Sequence, residues 1–354
     1  MVDVAAVIAD DGRLDPRVRN ALLAVPSTQL PDVADRDELL RLVGHPKAVA
    51  LREATEEFHR MLDIEDVATF AGLRITEHEY TSTPDGNTVR VNVTRPDTDE
   101  VLPCVYYVHG GGMQSGSAFA GRFPALARII AAERVVVVMV DFRNCLIGST
   151  PDAEVAPFPA GLHDCVSGLD WVVSVAGELG VDLDRIVLSG ESGGANLAIA
   201  TAIRLGRDGR RDLVAGLYAL CPFIAGEWPQ DRFPSSSEFN GYYLSLHSNR
   251  SRTAYGVEAF EARDPLAWPS FATVDDVVGF PPTFISVNEC DPLRDEGLEF
   301  YRLLLAAGVE AQCRIVMGTA HAMDLYAPVL PDVTRETAAG IARFAHTTPR
   351  WRSR

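Results

Sequence analysis

The most constraining feature of the chain is the segment Ser189–Gly194 (SGESGG), because it joins two patterns of different periodicity. Residues 185–188 (RIVL) before it are mostly apolar and β-branched, whereas residues 195–202 (ANLAIATA) after it are small and favour a helix. The segment therefore predicts a strand, a tight turn with glycines where side chains would collide, and a helix. Such a turn presents Ser192 above the sheet as a nucleophile, and it places the amide of Gly193 at a helix N-terminus, where a developing oxyanion is favoured.

Strand and helix patterns alternate on both sides of this turn. Continuous apolar runs, typical of buried parallel strands, lie at residues 104–108 and 135–140, and later strands are predicted at residues 215–221, 283–288 and 312–316. Helical patterns lie at residues 123–132, 161–176, 295–307 and 334–346. Ahead of them, residues 75–80 and 89–93 flank a turn and predict an antiparallel hairpin at a sheet edge. We therefore expect an α/β fold with a mostly parallel central sheet flanked by helices.

Two regions depart from this alternation. Residues 1 to about 70 have a helical composition and no pattern typical of catalysis. Residues 223–280 form a long insertion rich in Pro, Ser and aromatics, which we interpret as a lid over the site with an apolar pocket; an ordinary packed insertion is the alternative. The aromatic residues expected to keep that pocket dry are Trp228, Phe233, Phe239, Tyr242 and Tyr243.

A second glycine cluster, His109–Gly112 (HGGG), directly follows the predicted strand at residues 104–108. Glycines let the backbone approach a substrate oxygen and point amide groups at it, so the cluster predicts part of an oxyanion hole. A simple glycine-rich turn or a phosphate-binding loop is the alternative, but the continuations that phosphate-binding loops require are absent. We interpret His109 as a hydrogen-bonding anchor of this loop rather than as a base.

A serine nucleophile needs a base, and in a strand–elbow–helix fold the chain order is serine, then acid, then histidine. Of the histidines after Ser192, His247 lies in the insertion and His346 lies at the end of a helical stretch. His321 follows the predicted strand at residues 312–316 within a short loop, where the carboxyl edge of the sheet should be. We therefore predict His321 as the base.

The acid must lie between Ser192 and His321, and it should also follow a strand. Asp291 follows the strand at residues 283–288 and is succeeded by Pro292, a residue typical of a helix start. Two acids compete with it. Glu289 is too near the end of the strand, and Asp295 lies in the next helix, where it would stabilise the helix dipole. We predict that Asp291 holds the imidazole tautomer and stabilises the imidazolium.

Composition limits the partners and the compartment. A net charge of −17 argues against nucleic acid and anionic membrane surfaces as partners. No apolar run reaches membrane-spanning length, and the N-terminus has no basic start or long apolar core, so we expect no signal peptide and a cytoplasmic location. The cysteines are scattered mostly within apolar runs, which indicates small buried residues rather than disulfides or a metal site. They are Cys104, Cys145, Cys165, Cys221, Cys290 and Cys313.

The motifs HGGG at 109–112, GESGG at 190–194 and DPLRDEG at 291–297, with the downstream His321, resemble the hormone-sensitive-lipase-like (family IV) esterases of the α/β-hydrolase fold. The similarity covers most of the chain from about residue 70, and it is greatest to brefeldin A esterase-like bacterial carboxylesterases. It implies serine carboxylic ester hydrolysis without a cofactor or metal, on a small-molecule ester. The residues that it places in the triad are Ser192, Asp291 and His321, and in the oxyanion hole Gly111, Gly112 and Gly193.

The resemblance also implies a helical cap, and with it a division of the chain. The segments are residues 1–70 as the N-terminal part of the cap, 71–222 as the first part of the core, 223–280 as the cap insertion and 281–354 as the second part of the core. Two departures stand out. Many members read YRLAPE where this chain has residues 142–147 (FRNCLI), which should affect local packing, and the usual glycine after the catalytic histidine is Ala322.

The sequence leaves the acyl acceptor open. Acyl transfer to another alcohol or amine, or lactone opening, would use the same residues, since only the acceptor or ring closure differs. A non-catalytic ligand-binding protein of the same fold usually lacks a triad member, whereas all three positions are filled here. We expect short- to medium-chain or cyclic (lactone) esters as substrates and no interfacial activation, because polar residues interrupt the insertion. A homodimer is left open.

Overall fold

The computed structural model describes residues 3–25 and 27–348. Within them, eight strands form one sheet: β1 (Leu73–Thr81), β2 (Thr88–Pro96), β3 (Leu102–Val108), β4 (Val136–Val140), β5 (Val181–Glu191), β6 (Gly216–Leu220), β7 (Thr283–Asn288) and β8 (Ala311–Val316). Their spatial order is β1-β2-β4-β3-β5-β6-β7-β8. The β1–β2 and β2–β4 pairs are antiparallel and the other neighbours are parallel, which confirms the predicted sheet with a hairpin at its edge.

Helices cover both faces of this sheet. The described residues contain α1 (Val4–Asp10), α2 (Pro16–Ala24), α3 (Arg36–Val43), α4 (Pro46–Leu62), α5 (Phe123–Ala131), α6 (Ala160–Leu179), α7 (Gly193–Arg207), α8 (Ser235–Glu238), α9 (Arg250–Tyr255), α10 (Val257–Glu261), α11 (Val274–Val277), α12 (Arg294–Ala306) and α13 (Pro331–Thr347). Short 3₁₀ turns lie at Arg211–Leu213, Pro269–Phe271 and Met323–Leu325. None of the helices in this part of the chain is long and apolar enough to cross a bilayer.

The central strands are apolar throughout because both of their faces are covered. In β3, Tyr106 and Val108 belong to the core on the side of α6 and α7, whereas Val105 and Tyr107 belong to the core on the side of α5 and α13. Side chains alternate between the two faces of a strand, so a strand buried on both sides reads as an unbroken apolar run. This packing explains why these strands could be recognised from the sequence.

One local prediction is wrong. Pro292 does not start a helix, because α12 begins at Arg294. The Asp291 side chain accepts the amide of Leu293 at 2.8 Å, and the Asp291 carbonyl accepts the amide of Arg294 at 3.1 Å. These two bonds form a separate turn ahead of the helix, and this turn fixes the orientation of the Asp291 carboxylate.

The N-terminal helices pack against the 223–280 insertion. The Tyr242 hydroxyl donates to Asp11 at 3.0 Å, and Arg13 pairs with Glu238 at 2.6 Å. Further along, the side-chain amide of Asn249 donates to the carbonyl of Val33 at 2.8 Å. The two parts of the chain therefore hold each other in place over the carboxyl edge of the sheet.

Most of the insertion's aromatics do not have the role that we expected. Phe239 and Tyr242 are buried against each other in a cluster that includes residues of α1 and α2, and Trp228 stacks on Phe223 with ring centroids 4.7 Å apart. Phe233 is likewise buried in the main core. Tyr243 alone among the five is exposed, at 48%. Composition could not separate aromatics that pack the cap from one that faces the site.

The contact between Asp11 and the insertion predicts a pH-dependent stability. The hydrogen bond from the Arg13 side chain, helped by the Arg13 amide and the Tyr242 hydroxyl, lowers the pKa of Asp11 from 3.8 to about 2. Because the folded-state pKa is depressed, the carboxylate's contribution is complete above about pH 4 and is lost as the pH falls toward 2. We expect Asp11→Asn to lower the Tm at pH 7 by several degrees and by about half as much at pH 3.

Thermal unfolding of both proteins at the two pH values measures this difference. Asp10→Asn is the matched control, because Asp10 is an exposed neighbour without an ion pair among the described residues. A Tm deficit of Asp11→Asn that stayed constant from pH 7 to pH 3 would show that the carboxylate's charge does not stabilise the contact.

Candidate active site

Ser192 is the single residue between β5, which ends at Glu191, and α7, which begins at Gly193. Its backbone has φ 54° and ψ −120°, a conformation that costs a non-glycine residue about 1–3 kcal/mol. The flanking glycines make the turn sterically feasible. A Cβ on Gly190 would lie 2.4 Å from the carbonyl oxygen of Gly194, and one on Gly194 would lie 2.0 Å from that of Val108. The turn predicted from the motif is therefore present, and it lifts Ser192 above the sheet edge.

The structure brings Ser192, His321 and Asp291 into one hydrogen-bonded chain. Ser192 Oγ lies 2.9 Å from His321 Nε2, and His321 Nδ1 lies 2.8 Å from Asp291 Oδ2. Asp291 is fully buried, and the serine and histidine are almost fully buried. The residues come from three loops, after β5, β7 and β8, which meet because the carboxyl ends of parallel strands share one edge of the sheet.

The competing residues predicted from the sequence lie elsewhere. His247 bonds through Nε2 to the carbonyl of Ser236, and His346 bonds through Nε2 to that of Glu133. The Glu289 carboxylate accepts the amide of Gly318 at 2.8 Å, and that of Asp295 accepts the amide of Ser235 at 2.7 Å. Each of the four therefore has a structural partner away from Ser192.

Asn288 fixes the loop that carries His321, and the sequence analysis missed it. Its Nδ2 donates to Thr319 Oγ1 and to Asp324 Oδ1, both at 2.8 Å, and its Oδ1 accepts the amide of Ala322 at 3.1 Å. These bonds hold the backbone on both sides of the histidine. A signal was available, because Asn288 is a polar residue that ends an apolar strand at the carboxyl edge of the sheet.

Ala322 occupies a left-handed backbone conformation, with φ 55° and ψ 14°. Glycine adopts this conformation without penalty, whereas alanine pays roughly 1–2 kcal/mol. Ala322 therefore takes a conformation that a glycine would adopt freely. The bond from its amide to Asn288 and the His321 hydrogen bonds are formed with alanine at this position.

The HGGG loop lies directly against the start of α7. A Cβ on Gly193 would lie 2.7 Å from the Gly112 nitrogen and 2.5 Å from the Met113 nitrogen. Within the described residues, neither the Gly111 amide nor the Gly112 amide donates to a backbone acceptor, and the Gly193 amide is one of the unsatisfied first-turn donors of a helix. These three amides are therefore available as the oxyanion donors that the sequence predicts.

His109 is an anchor, as predicted. Its Nδ1 lies 2.8 Å from the carbonyl oxygen of Gly110, and its ring stacks on Phe142 with centroids 4.4 Å apart. Burial lowers the pKa of His109 below its ordinary value, which favours the neutral ring. Phe142 begins the segment where this chain departs from the family pattern, and its effect is the local packing that we expected.

A buried acid, Glu191, directly precedes the turn at Ser192. Glu191 is fully buried, accepts the hydroxyl of Tyr107 at 2.7 Å and forms an ion pair with Arg122. A Cβ on Gly110 would lie 2.9 Å from Glu191 Oε1, so this carboxylate packs against the HGGG loop. Arg122 neutralises its charge beneath the free amides. No local pattern indicates this pair, because 69 residues separate its members.

Tyr243, in the insertion, lies close to His321. Its ring lies 6.3 Å from that of His321 and is inclined to it by 24°. Tyr243 also has a positive φ of 74°, an uncommon backbone conformation for a residue other than glycine. Its exposed ring limits the space above the histidine.

One more potential metal or nucleophilic group lies beside the triad. Cys221 follows β6, is buried, and has its thiol close to Asp291 and His321. Burial, with smaller contributions from nearby carboxylates, raises the pKa of this thiol well above its ordinary value. The thiol is therefore protonated at neutral pH, and Ser192 is the group that has a base within hydrogen-bonding distance.

The arrangement provides a hydroxyl, a base, an acid that orients the base, and amide donors for a developing oxyanion. Those four elements suit nucleophilic attack on a carbonyl carbon. Among the described residues, His321 is the base that is hydrogen-bonded to Ser192 Oγ.

Comparison with known proteins agrees with this geometry. The family model Abhydrolase_3, described as an alpha/beta hydrolase fold, matches residues 105–325. The solved structure of esterase Est22 is 52% identical, covers 96% of this chain and 98% of its own, and superposes with a TM-score of 0.94. Brefeldin A esterase, a bacterial homologue of human hormone-sensitive lipase, is 33% identical over 97% of this chain and 96% of its own, with a TM-score of 0.82. Carboxylesterase NlhH of Mycobacterium tuberculosis is 32% identical over 70% of this chain and 74% of its own.

Proposed function

The chain belongs to the Abhydrolase_3 family of the α/β-hydrolase fold and is a carboxylesterase, and on that premise we propose how it acts and on which esters. The resemblance to hormone-sensitive-lipase-like esterases is confirmed by these relatives. The proposal is that Ser192, His321 and Asp291 hydrolyse short- to medium-chain or cyclic esters through an acyl-enzyme. The single observation that supports it most is the unbroken hydrogen-bonded chain from Ser192 Oγ through His321 to Asp291.

The first half of the reaction acylates the serine. Ser192 Oγ attacks the ester carbonyl carbon while His321 Nε2 takes its proton, and the resulting imidazolium is stabilised by the Asp291 carboxylate at Nδ1. The carbonyl oxygen becomes an oxyanion, which the amides of Gly111, Gly112 and Gly193 stabilise. His321 then gives its proton to the alcohol as the C–O bond breaks.

The second half regenerates the enzyme. A water molecule gives a proton to His321 and attacks the acyl carbon, and the tetrahedral intermediate releases the carboxylic acid as Ser192 recovers its proton. All the groups that this sequence needs are side chains or amides of the chain itself. The acyl-enzyme is the point at which an alcohol or amine could replace water, so the acceptor is decided by access and concentration.

The walls of the site favour compact substrates. Phe223, whose amide donates to the carbonyl of Ser192 at 3.2 Å, is buried, with a ring atom 3.9 Å from a Cβ placed on Gly112. Tyr243 limits the space on the histidine side. The two rings therefore provide apolar surface for a short acyl chain or a ring. Long chains would have to leave this enclosure.

The substrate range can be tested with p-nitrophenyl esters from acetate to palmitate, beside macrolactones and triolein. We expect kcat/KM to be highest at or below octanoate and the rate to show no jump when triolein forms an emulsion. Tyr243→Ala is the matched variant, and it should shift the preference toward bulkier esters because the ring above His321 is removed.

The triolein emulsion tests the proposal severely, because α4 exposes apolar side chains that could dock on a lipid surface. Leu51, Phe58 and Met61 lie on this helix and are all more than half exposed. A sharp rise in rate at the solubility limit of triolein would show that such a surface docks on lipid, and the proposed preference for dispersed esters would then be wrong.

We also propose a cytoplasmic location. It is supported by the cysteines, none of which is in a disulfide and five of which are buried. An oxidising compartment would favour disulfides in a chain with this many thiols.

A further inference from the structure

Cys221 places a sulfur ligand beside the carboxylate oxygen of Asp291 and the ring nitrogens of His321. One donor atom each from Cys221, Asp291 and His321 lie within 4.8 Å of one another, and all three residues are buried. The backbone of the cysteine is held in position, because its amide donates to the carbonyl of Ser286 at 2.7 Å. Its side chain is buried, and this packing restricts the thiol at the end of β6 more than an exposed side chain would be restricted.

The one carboxylate among these donors, that of Asp291, is fully buried. The ion pair of Asp291 within the described residues is the one with His321, which must be neutral to act as a base. A buried carboxylate without a cationic partner attracts a cation more strongly than an exposed one, because water screens it less.

We propose that Cys221, Asp291 and His321 bind Zn²⁺, and that the bound ion inhibits the enzyme. Zinc prefers sulfur, nitrogen and oxygen ligands in a tetrahedron, with bonds of about 2.0–2.3 Å. Ligand atoms in such a tetrahedron lie about 3.3–3.8 Å apart. The three donors now lie within 4.8 Å of one another, so small side-chain rotations can bring them to that spacing, and water can complete the coordination.

Binding at this place removes the base by a change of tautomer. The ion takes His321 Nδ1, which now lies 2.8 Å from Asp291 Oδ2, and bonds to the carboxylate in turn. The proton of Nδ1 is lost from that nitrogen and the neutral ring carries its proton on Nε2, which can no longer accept the proton of Ser192. The Cys221 thiol releases its proton to solvent and binds as the thiolate.

The loss of activity rests on the proposed role of His321, but the binding of the metal does not. The two can therefore be measured separately. Zinc stoichiometry and affinity are obtained by equilibrium dialysis of the full-length enzyme, first freed of metal with EDTA. Co²⁺ offers a spectroscopic readout, since a cobalt–thiolate bond gives a charge-transfer absorption band that requires the cysteine sulfur.

The test compares the wild type with Cys221→Ala and Cys221→Ser. We expect ZnCl₂ to lower kcat of the wild type reversibly, with one ion bound per chain and EDTA restoring the rate. Both variants should keep their activity without zinc and need a zinc concentration at least about tenfold higher for half inhibition, since even the loss of a group that supports a ligand weakens metal affinity about 10–100-fold. The cobalt–thiolate band should be absent from both.

Cys313→Ala is the matched control, because Cys313 is the one cysteine that is not fully buried. It should be inhibited like the wild type. The proposal is overturned if the Cys221 variants are inhibited at the wild-type zinc concentration, if Cys313→Ala gives the protection instead, or if millimolar zinc neither binds nor inhibits. Stoichiometric binding through Cys221 without any effect on kcat would retain the metal site and instead contradict the proposed role of His321.

Discussion

Replacing Ser192 with alanine is expected to lower kcat by about 10⁴–10⁶-fold, because in the described part of the chain no other hydroxyl is bonded to His321. The residual rate would come from the oxyanion amides and substrate binding alone. The fold should survive the change, since the turn is made by Gly190 and Gly194 and not by the serine side chain. Hydrolysis of p-nitrophenyl acetate measures the first effect, and thermal unfolding measures the second.

Ser189→Ala is the matched control for this variant. Its hydroxyl is buried in the same segment but donates to the carbonyl of Tyr218 at 2.9 Å, away from the histidine. We expect it to lose about 1 kcal/mol of unfolding free energy and to keep its kcat. Activity of Ser192→Ala within tenfold of the wild type would place the nucleophile elsewhere.

Gly111→Ala is expected to lower kcat by about 10²–10³-fold, the usual cost of losing one oxyanion donor. Gly111 has φ 120°, which L-residues rarely adopt, and a Cβ there would lie 2.0 Å from the carbonyl oxygen of Ser115. The loop must therefore move, and its amides with it. Because the defect concerns the transition state, KM should change much less than kcat.

Gly86→Ala is the control that separates the loss of an oxyanion donor from the backbone strain of placing alanine at a positive φ. Gly86 also has a positive φ, of 80°, but a Cβ there would meet nothing within 4 Å, and the residue lies in the β1–β2 turn. This control should lose stability and retain its kcat. If Gly111→Ala is well folded at the assay temperature and its kcat equals that of the wild type, the Gly111 amide is not part of the oxyanion hole.

The parts of this account that the sequence could predict are local or follow from a rule of chain order. Strand β7 has the predicted bounds of residues 283–288, because Phe284, Ile285 and Val287 give this mostly buried stretch the composition of a strand. Ser192, Asp291 and His321 were predicted because each follows a strand in the order that the fold requires. The structure places them within hydrogen-bonding distance of one another.

The parts that could not be predicted depend on contacts between residues far apart in the chain. The bond between Tyr242 and Asp11 spans 231 residues, and neither residue carries a local signal for it. The same is true of Glu191 and Arg122, whose pairing needs the sheet to be assembled first. Aromatic content alone indicated a pocket lining, whereas the assembled cap uses Phe239 for packing and exposes Tyr243.

Labelling with a fluorophosphonate tests the central claim most directly, because this reagent phosphonylates an activated serine and mimics the acyl-enzyme. The account predicts that one label is incorporated per chain, that peptide mapping places it on Ser192, and that esterase activity falls in proportion to labelling. His321→Ala should label far more slowly, because the serine loses its base. Label on a different residue, or full esterase activity in an enzyme whose Ser192 is completely labelled, would contradict it.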